Sequence, residues 1–225
     1  MATTEKTAKD ERNSKIAAKK SARASGTKSA TASVETRKKR AQAVATKSAA
    51  RKESRASTRD DKSLSDLFEH ALGDIYYAEK KIYKSLPKMI KAADNPDLVS
   101  ALTSHREETA SQIEKLEAIF ELLGKRAKAE KCDAIDGILE ESDGLLEDFG
   151  SSVAADATII FSCQAIEHYE ITRYGSMRAF ADALGMDEAK QHIEDILSQE
   201  NAADTRLSEL AEESVNAAAA EYDDH

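Results

Sequence analysis

From about Ser63 onward, large apolar residues recur every three or four positions, the spacing of helices that each turn one face to a core. The first such segment carries Phe68, Leu72, Tyr76, Glu79, Tyr83, Leu86 and Ile90, with Ser65 as the expected N-cap and Pro87 expected to kink its last turns. Asp94-Asn95-Pro96 reads as a turn, and a second helix is predicted from Asp97 to about Leu123, stopped by Gly124. Lys125 to Gly150 forms a connector with short apolar periodicity. A third long helix is expected from Ser152 towards Leu184, with Gly175 a candidate break, and a fourth from Asp187 to about Ala211. No strand pattern is present.

Two helices, a long crossover and two more helices predict an all-α fold, a ferritin-like four-helix bundle whose connector joins helices that run parallel. The expected organisation is a tail over 1–62, a bundle domain over 63–215 and a flexible acidic C-terminus over 216–225.

The seams of these helices hold acids where leucines are expected. The third steps through Ala157, Ile160, Gln164, Glu167, Ile171 and Tyr174, and Glu170 lies one turn from Glu167 on the same face. The fourth steps through Ile193, Leu197, Glu200, Asp204, Leu207 and Ala211. Glu79 sits between Tyr76 and Tyr83 in the first. The second offers Leu98, Ala101, His105, Glu108, Gln112 and Leu116, a seam already polar at its middle.

Burying an ionised carboxylate without a partner is so costly that the group takes up a proton instead, and no matching Lys or Arg falls on these seams. A pair of divalent ions bridged by carboxylates answers the problem, and an oxygen-rich site with little imidazole suits Fe or Mn. The candidate metal ligands are Glu79, His105, Glu108, Glu167, Glu170, Glu200 and Asp204, and the candidate cofactor is a di-iron or di-manganese centre. Any single acid here can equally be a solvated edge residue, and a lone His105 is more often a satisfied core histidine. His168 points away from its seam. Tyr76, Tyr83, Tyr169 and Tyr174 read as packing residues, and Cys132 and Cys163 as unreactive thiols.

Charge divides the chain. Residues 1–62 hold 18 Lys and Arg against 7 Asp and Glu, with no aromatic residue, whereas the remainder is strongly acidic. Such a segment lacks the apolar surface to offset the entropy of ordering and reads as a disordered basic tail. It suits weak, sequence-blind binding to nucleic acid, or contact with the acidic domain of its own or a neighbouring molecule. Two separated cysteines, no apolar run of membrane-spanning length and no secretory signal point to a soluble cytoplasmic protein without membrane contact. The rival to a metal protein is a metal-free structural or DNA-associated protein using the tail.

The strings Asp74-Ile75-Tyr76-Tyr77-Ala78-Glu79-Lys80, Leu86-Pro87-Lys88-Met89, His105-Arg106-Glu107-Glu108-Thr109 and Ile166-Glu167-His168-Tyr169-Glu170-Ile171 followed by Tyr174-Gly175 resemble the YciE/YciF-like family of ferritin-like stress proteins. The resemblance covers about Ser63 to Ala211. It implies a rubrerythrin-like domain, usually a homodimer, linked to bacterial stress responses and without an assigned reaction, with ligands at Glu79, Glu108, Glu167, Glu170 and Glu200. Against rubrerythrin itself, Glu200 and Asp204 stand where a Glu and a His are expected. Ser111 and Gln112 stand where a His would follow the second helix's Glu.

Overall fold

The computed structural model describes residues 61–221. The expectations for the basic tail, including nucleic-acid binding, fall almost wholly on residues outside this range.

Five long helices form: α1 Leu64–Ala92, α2 Pro96–Leu122, α3 Asp133–Phe149, α4 Ala155–Ala183 and α5 Asp187–Leu210. A π-helical turn, Ala211–Val215, and a short α6, Asn216–Ala220, follow, so helical structure continues into the expected C-terminal tail.

The helix ends follow local chemistry. Ser63, two residues before the expected cap, closes a capping box on α1: its hydroxyl accepts from the Asp66 amide at 3.1 Å, and the Asp66 carboxylate accepts from the Ser63 amide at 2.7 Å. Ser65 lies inside the first turn. Asn95 caps α2 by accepting from the Asp97 and Leu98 amides, with Pro96 at the first helical position, where its missing N–H costs nothing. Gly124 and Gly185 adopt φ of 67° and 69° and end α2 and α4 in the left-handed conformation that favours glycine. Helix α1 runs through Pro87, and α4 runs through Gly175 without interruption.

Side-chain pairs give the topology. Along α1 and α4, Glu79 meets Tyr174 and Met89 meets Cys163, and the Asp156 carboxylate then accepts from the Asp94 and Asn95 amides, so the two helices are antiparallel. Tyr76 with Glu117 pairs α1 and α2 in the same sense. Gln164 with Ser208 does so for α4 and α5, and Gln112 with Glu200 for α2 and α5. The helices therefore form a ring in the order α1, α2, α5, α4, with α2 and α4 diagonal and parallel. That relation demands a crossover, and α3 supplies it by packing against α1 and α4. The crossover begins close to α1: the Glu130 amide donates to the Gly73 carbonyl at 2.9 Å, and a Cβ on Gly73 would stand 2.8 Å from the Glu130 Cγ.

Apolar layers close the bundle on both sides of its middle. Towards one end lie Phe68, Leu72 and Ile75 with Leu116, Ile119 and Ile193; towards the other lie Ile82, Leu86, Leu98, Leu102 and Ile159, all 2 % exposed or less. Burying each of these side chains is worth about 1.5–3 kcal/mol. That reserve carries a polar layer placed between them.

Candidate metal centre

Glu79 of α1, His105 of α2, Glu167 and Glu170 of α4 and Glu200 of α5 form that polar layer. The four acids are at most 1 % exposed and His105 is 7 % exposed. Each comes from the apolar stripe of its own helix, which is why the fold brings them inward. His105, Glu167, Glu170 and Glu200 each offer one ligand atom, and those atoms all lie within 4.8 Å of one another. Glu79 stands beside Glu170 at the edge of this group, close enough for the two carboxyls to share a hydrogen bond.

Neighbours hold only part of each acid. Tyr174, itself fully buried, donates its hydroxyl to Glu79 Oε1. Gln112 donates its amide to Glu200 Oε1. His105 Nε2 lies 3.3 Å from Glu167 Oε1. What remains is a set of buried atoms without any hydrogen-bond partner: Glu79 Oε2, Glu167 Oε2, Glu170 Oε1, Glu200 Oε2 and His105 Nδ1. Among the described residues, no Lys or Arg forms an ion pair with any of the four acids.

Electrostatics follow from burial and crowding. Loss of solvation, and then the charge of Glu200, push the Glu79 carboxyl up to about 8, against the pull of its Tyr174 hydrogen bond. Burial pushes Glu200 up to about 7. Glu167 and Glu170 are raised well above the ordinary carboxylate range, by burial first and by neighbouring acids second. Burial lowers His105 to about 4, so its ring is neutral at pH 7 and one nitrogen has a lone pair to give. Four acids and one neutral imidazole, with unshared acceptor atoms and no cationic side chain paired with them among the described residues, are a donor set that suits a divalent cation.

The remaining predicted residues lie at the margin. Glu108 is half-buried, with its pKa raised by desolvation, and lines a cavity beside His105 and Glu167. Asp204 is half-buried, with Oδ1 3.3 Å from Nε2 of the exposed His168. Both stand outside the 4.8 Å group. Two side chains in direct contact with the acids are not among the ligands predicted from sequence. Gln112 was legible as a polar residue on the α2 seam, and Tyr174 as an aromatic on the α4 seam one turn after Glu170.

The cavity, about 160 Å³, lies between α2 and α5. Ser104, Ala202 and Arg206 bring it to the exposed surface, and His105 and Glu167 form its inner end.

Comparison with known proteins agrees with this architecture. The chain is 36% identical to protein YciF of Escherichia coli K12 over 156 residues, 69% of this chain and 94% of YciF. The crystal structure of the E. coli stress protein YciF matches with a TM-score of 0.66, covering 69% of this chain and 99% of that one. YcfI of Rhodopseudomonas palustris, described as a candidate structural protein, matches at 45% identity with a TM-score of 0.65, over 67% of this chain and 96% of YcfI. No helix among the described residues is long and apolar enough to cross a membrane. Residues 63–220 match the family described as domain of unknown function DUF892, and the chain belongs to that family.

Proposed function

We propose that this protein is a stress-associated ferritin-like protein holding a carboxylate-bridged pair of Fe or Mn ions at the centre of its bundle, and that it handles peroxide, dioxygen or the metal itself. One observation carries the reading: four buried acids from three helices converge with a neutral histidine, each with an oxygen left unpartnered, and no side-chain cation among the described residues pairs with them. Ionised, these four acids bring four negative charges, which two divalent ions balance. A single ion would leave two negative charges in a core where such charge costs several kcal/mol.

His105, Glu167, Glu170 and Glu200 would hold the metal, with Glu79 completing the Glu170 side. A bound pair of Fe or Mn ions would supply one-electron redox chemistry towards an O–O bond. The protein's own contribution is positional. Tyr174 fixes Glu79, Gln112 fixes Glu200, and the apolar layers exclude bulk water. Similarity to the E. coli stress protein YciF supports the link to stress.

The test is metal analysis of the full chain purified without chelator and then loaded with Fe²⁺ or Mn²⁺, with Glu167→Ala and Glu200→Ala alongside. Two ions per chain, lost in both variants, is the expected result. Failure to retain any metal under every loading condition rejects the reading.

A further inference from the structure

The cavity between α2 and α5 is larger and more apolar than a passage for a diatomic oxidant requires. A single water needs about 10–15 Å³ of cavity space, so a cavity of about 160 Å³ has room for a ligand well beyond the size of one water or of dioxygen. Its two sides carry Ala101 and Leu102 of α2 and Ala202, Ala203 and Leu207 of α5, where water finds few hydrogen-bond partners. The inner end presents His105 and Glu167, whose Nδ1 and Oε2 are buried without partners. An apolar wall facing a polar end is the shape of a site for a small amphiphile.

Charge narrows the ligand. An organic anion would meet two acidic side chains, Glu108 and Glu167, and among the described residues the only cationic side chain on the lining is Arg206, which is exposed, with Nη1 3.6 Å from Glu209 Oε2. A neutral head group that both donates and accepts hydrogen bonds matches His105 and Glu167. Three alanines in the wall leave the space that a short branched alkyl group fills.

We propose that this cavity seats a small neutral alkyl hydroperoxide, its alkyl group against Ala101, Ala202 and Ala203 and its hydroperoxy group towards His105 and Glu167. The proposal names a substrate class for the reaction put forward above and, for turnover, rests on that reading. Binding does not.

Reduction breaks the O–O bond of the hydroperoxide to give the alcohol and water, consuming two protons and two electrons. In the test the electrons come from Fe²⁺ loaded into the protein, which is oxidised to Fe³⁺.

Two readouts separate the claims. In the first, the metal-free full chain carrying ¹³C-labelled alanine methyls is titrated with tert-butyl hydroperoxide. Saturable shifts are expected at Ala101, Ala202 and Ala203 and not at the buried Ala78 or Ala181. In the second, consumption of tert-butyl hydroperoxide and of hydrogen peroxide is followed with the Fe²⁺-loaded chain. Ala203→Leu should weaken tert-butyl hydroperoxide binding and slow its consumption at least tenfold, while hydrogen peroxide consumption changes less than twofold. Ala202→Leu, at the exposed mouth, provides the same test should Ala203→Leu fail to fold. Absence of saturable shifts, or an equal loss for both oxidants, overturns the proposal. Saturable binding in a chain that never retains iron leaves the seat standing and rejects the metal reading instead.

Discussion

The two sides of the buried acid layer are built differently. On the α1–α4 side, Glu79 and Tyr174 close the core: Tyr174 is fully buried and spends its hydroxyl on Glu79, and Ile75, Ile82 and Met177 of the same two helices are buried as well. On the α2–α5 side, small residues leave a cavity that runs from the surface to His105 and Glu167. If the acids hold metal as proposed, the first side would fix ligands and the second would give access to them. A rigid supporting contact and an open approach are both needed at a site that must position charged groups yet exchange with solvent.

Removing an acid shared by both sides should have the largest effect. Glu170→Ala deletes a member of the close ligand group that also contacts Glu79, and we expect metal affinity to fall at least about 100-fold, beyond the usual cost of losing a supporting contact. Isothermal titration with Mn²⁺ checks it, and retention of two tightly bound ions would show that the two sides do not share a centre.

Next in size is Tyr174→Phe on the closed side. The substitution leaves Glu79 Oε1 buried without its donor, and metal-free stability should drop by about 1–3 kcal/mol in denaturant unfolding. Because Tyr174 fixes Glu79 beside the proposed metal site, peroxide consumption by loaded protein should fall as well, by about 10–100-fold. A variant with wild-type stability would mean the phenol only packs.

The pH dependence of the metal-free protein tests the shared burial. Glu79 and Glu200 have folded pKa values raised to about 8 and about 7 from 4.5. The folded state therefore binds more protons than the unfolded one between about pH 4.5 and 8, and its stability falls as pH rises through that window. His105, lowered from 6.5 to about 4, acts oppositely but only below about pH 6.5. Between pH 6.5 and 8 the acids alone decide the sign, so the metal-free melting temperature should decline, by about 2–4 °C for each kcal/mol lost. Saturating Mn²⁺ should abolish or reverse that decline. A metal-free melting temperature that rises across this interval would contradict the burial of the four acids.

The smallest effect is expected at the rim. Glu108→Gln and Asp204→Asn alter half-buried groups outside the close cluster, and the number of ions bound should stay unchanged, with affinity shifting less than about threefold. Loss of an ion in either variant would extend the centre to the open side.

These margins also show where helical periodicity stops being informative. The α2 seam read from sequence shares Leu98, His105, Gln112 and Leu116 with the buried face, but passes through Ala101 and Glu108 where the structure buries Leu102 and Thr109, one residue later. A step of three and a step of four leave a helix face by similar angles in opposite directions, and only strongly apolar residues choose between them. Where Glu108 and Thr109 adjoin, both polar, nothing in the pattern chooses. The same ambiguity places Leu197, Asp204 and Ala211 on the predicted seam of α5, while the structure buries Ile196 and Leu210 and leaves those three half-buried. Glu167 and Glu170 fall on the α4 seam read from sequence, between Ile160 and Tyr174, and both are buried. The crossover was legible from its length, since α2 and α4 lie parallel. Gln112 and Tyr174 as partners of the acids were not legible, because hydrogen bonds between helices depend on axial register, which one helix's periodicity does not carry.

The most direct test of the central claim is an anomalous-scattering map from crystals of the full chain loaded with Mn²⁺. Two peaks about 3.5–4 Å apart in the bundle core, within ligand distance of Glu167 and Glu170, are what the arrangement of acids predicts. A core without any peak, or manganese found only at surface carboxylates, would contradict it.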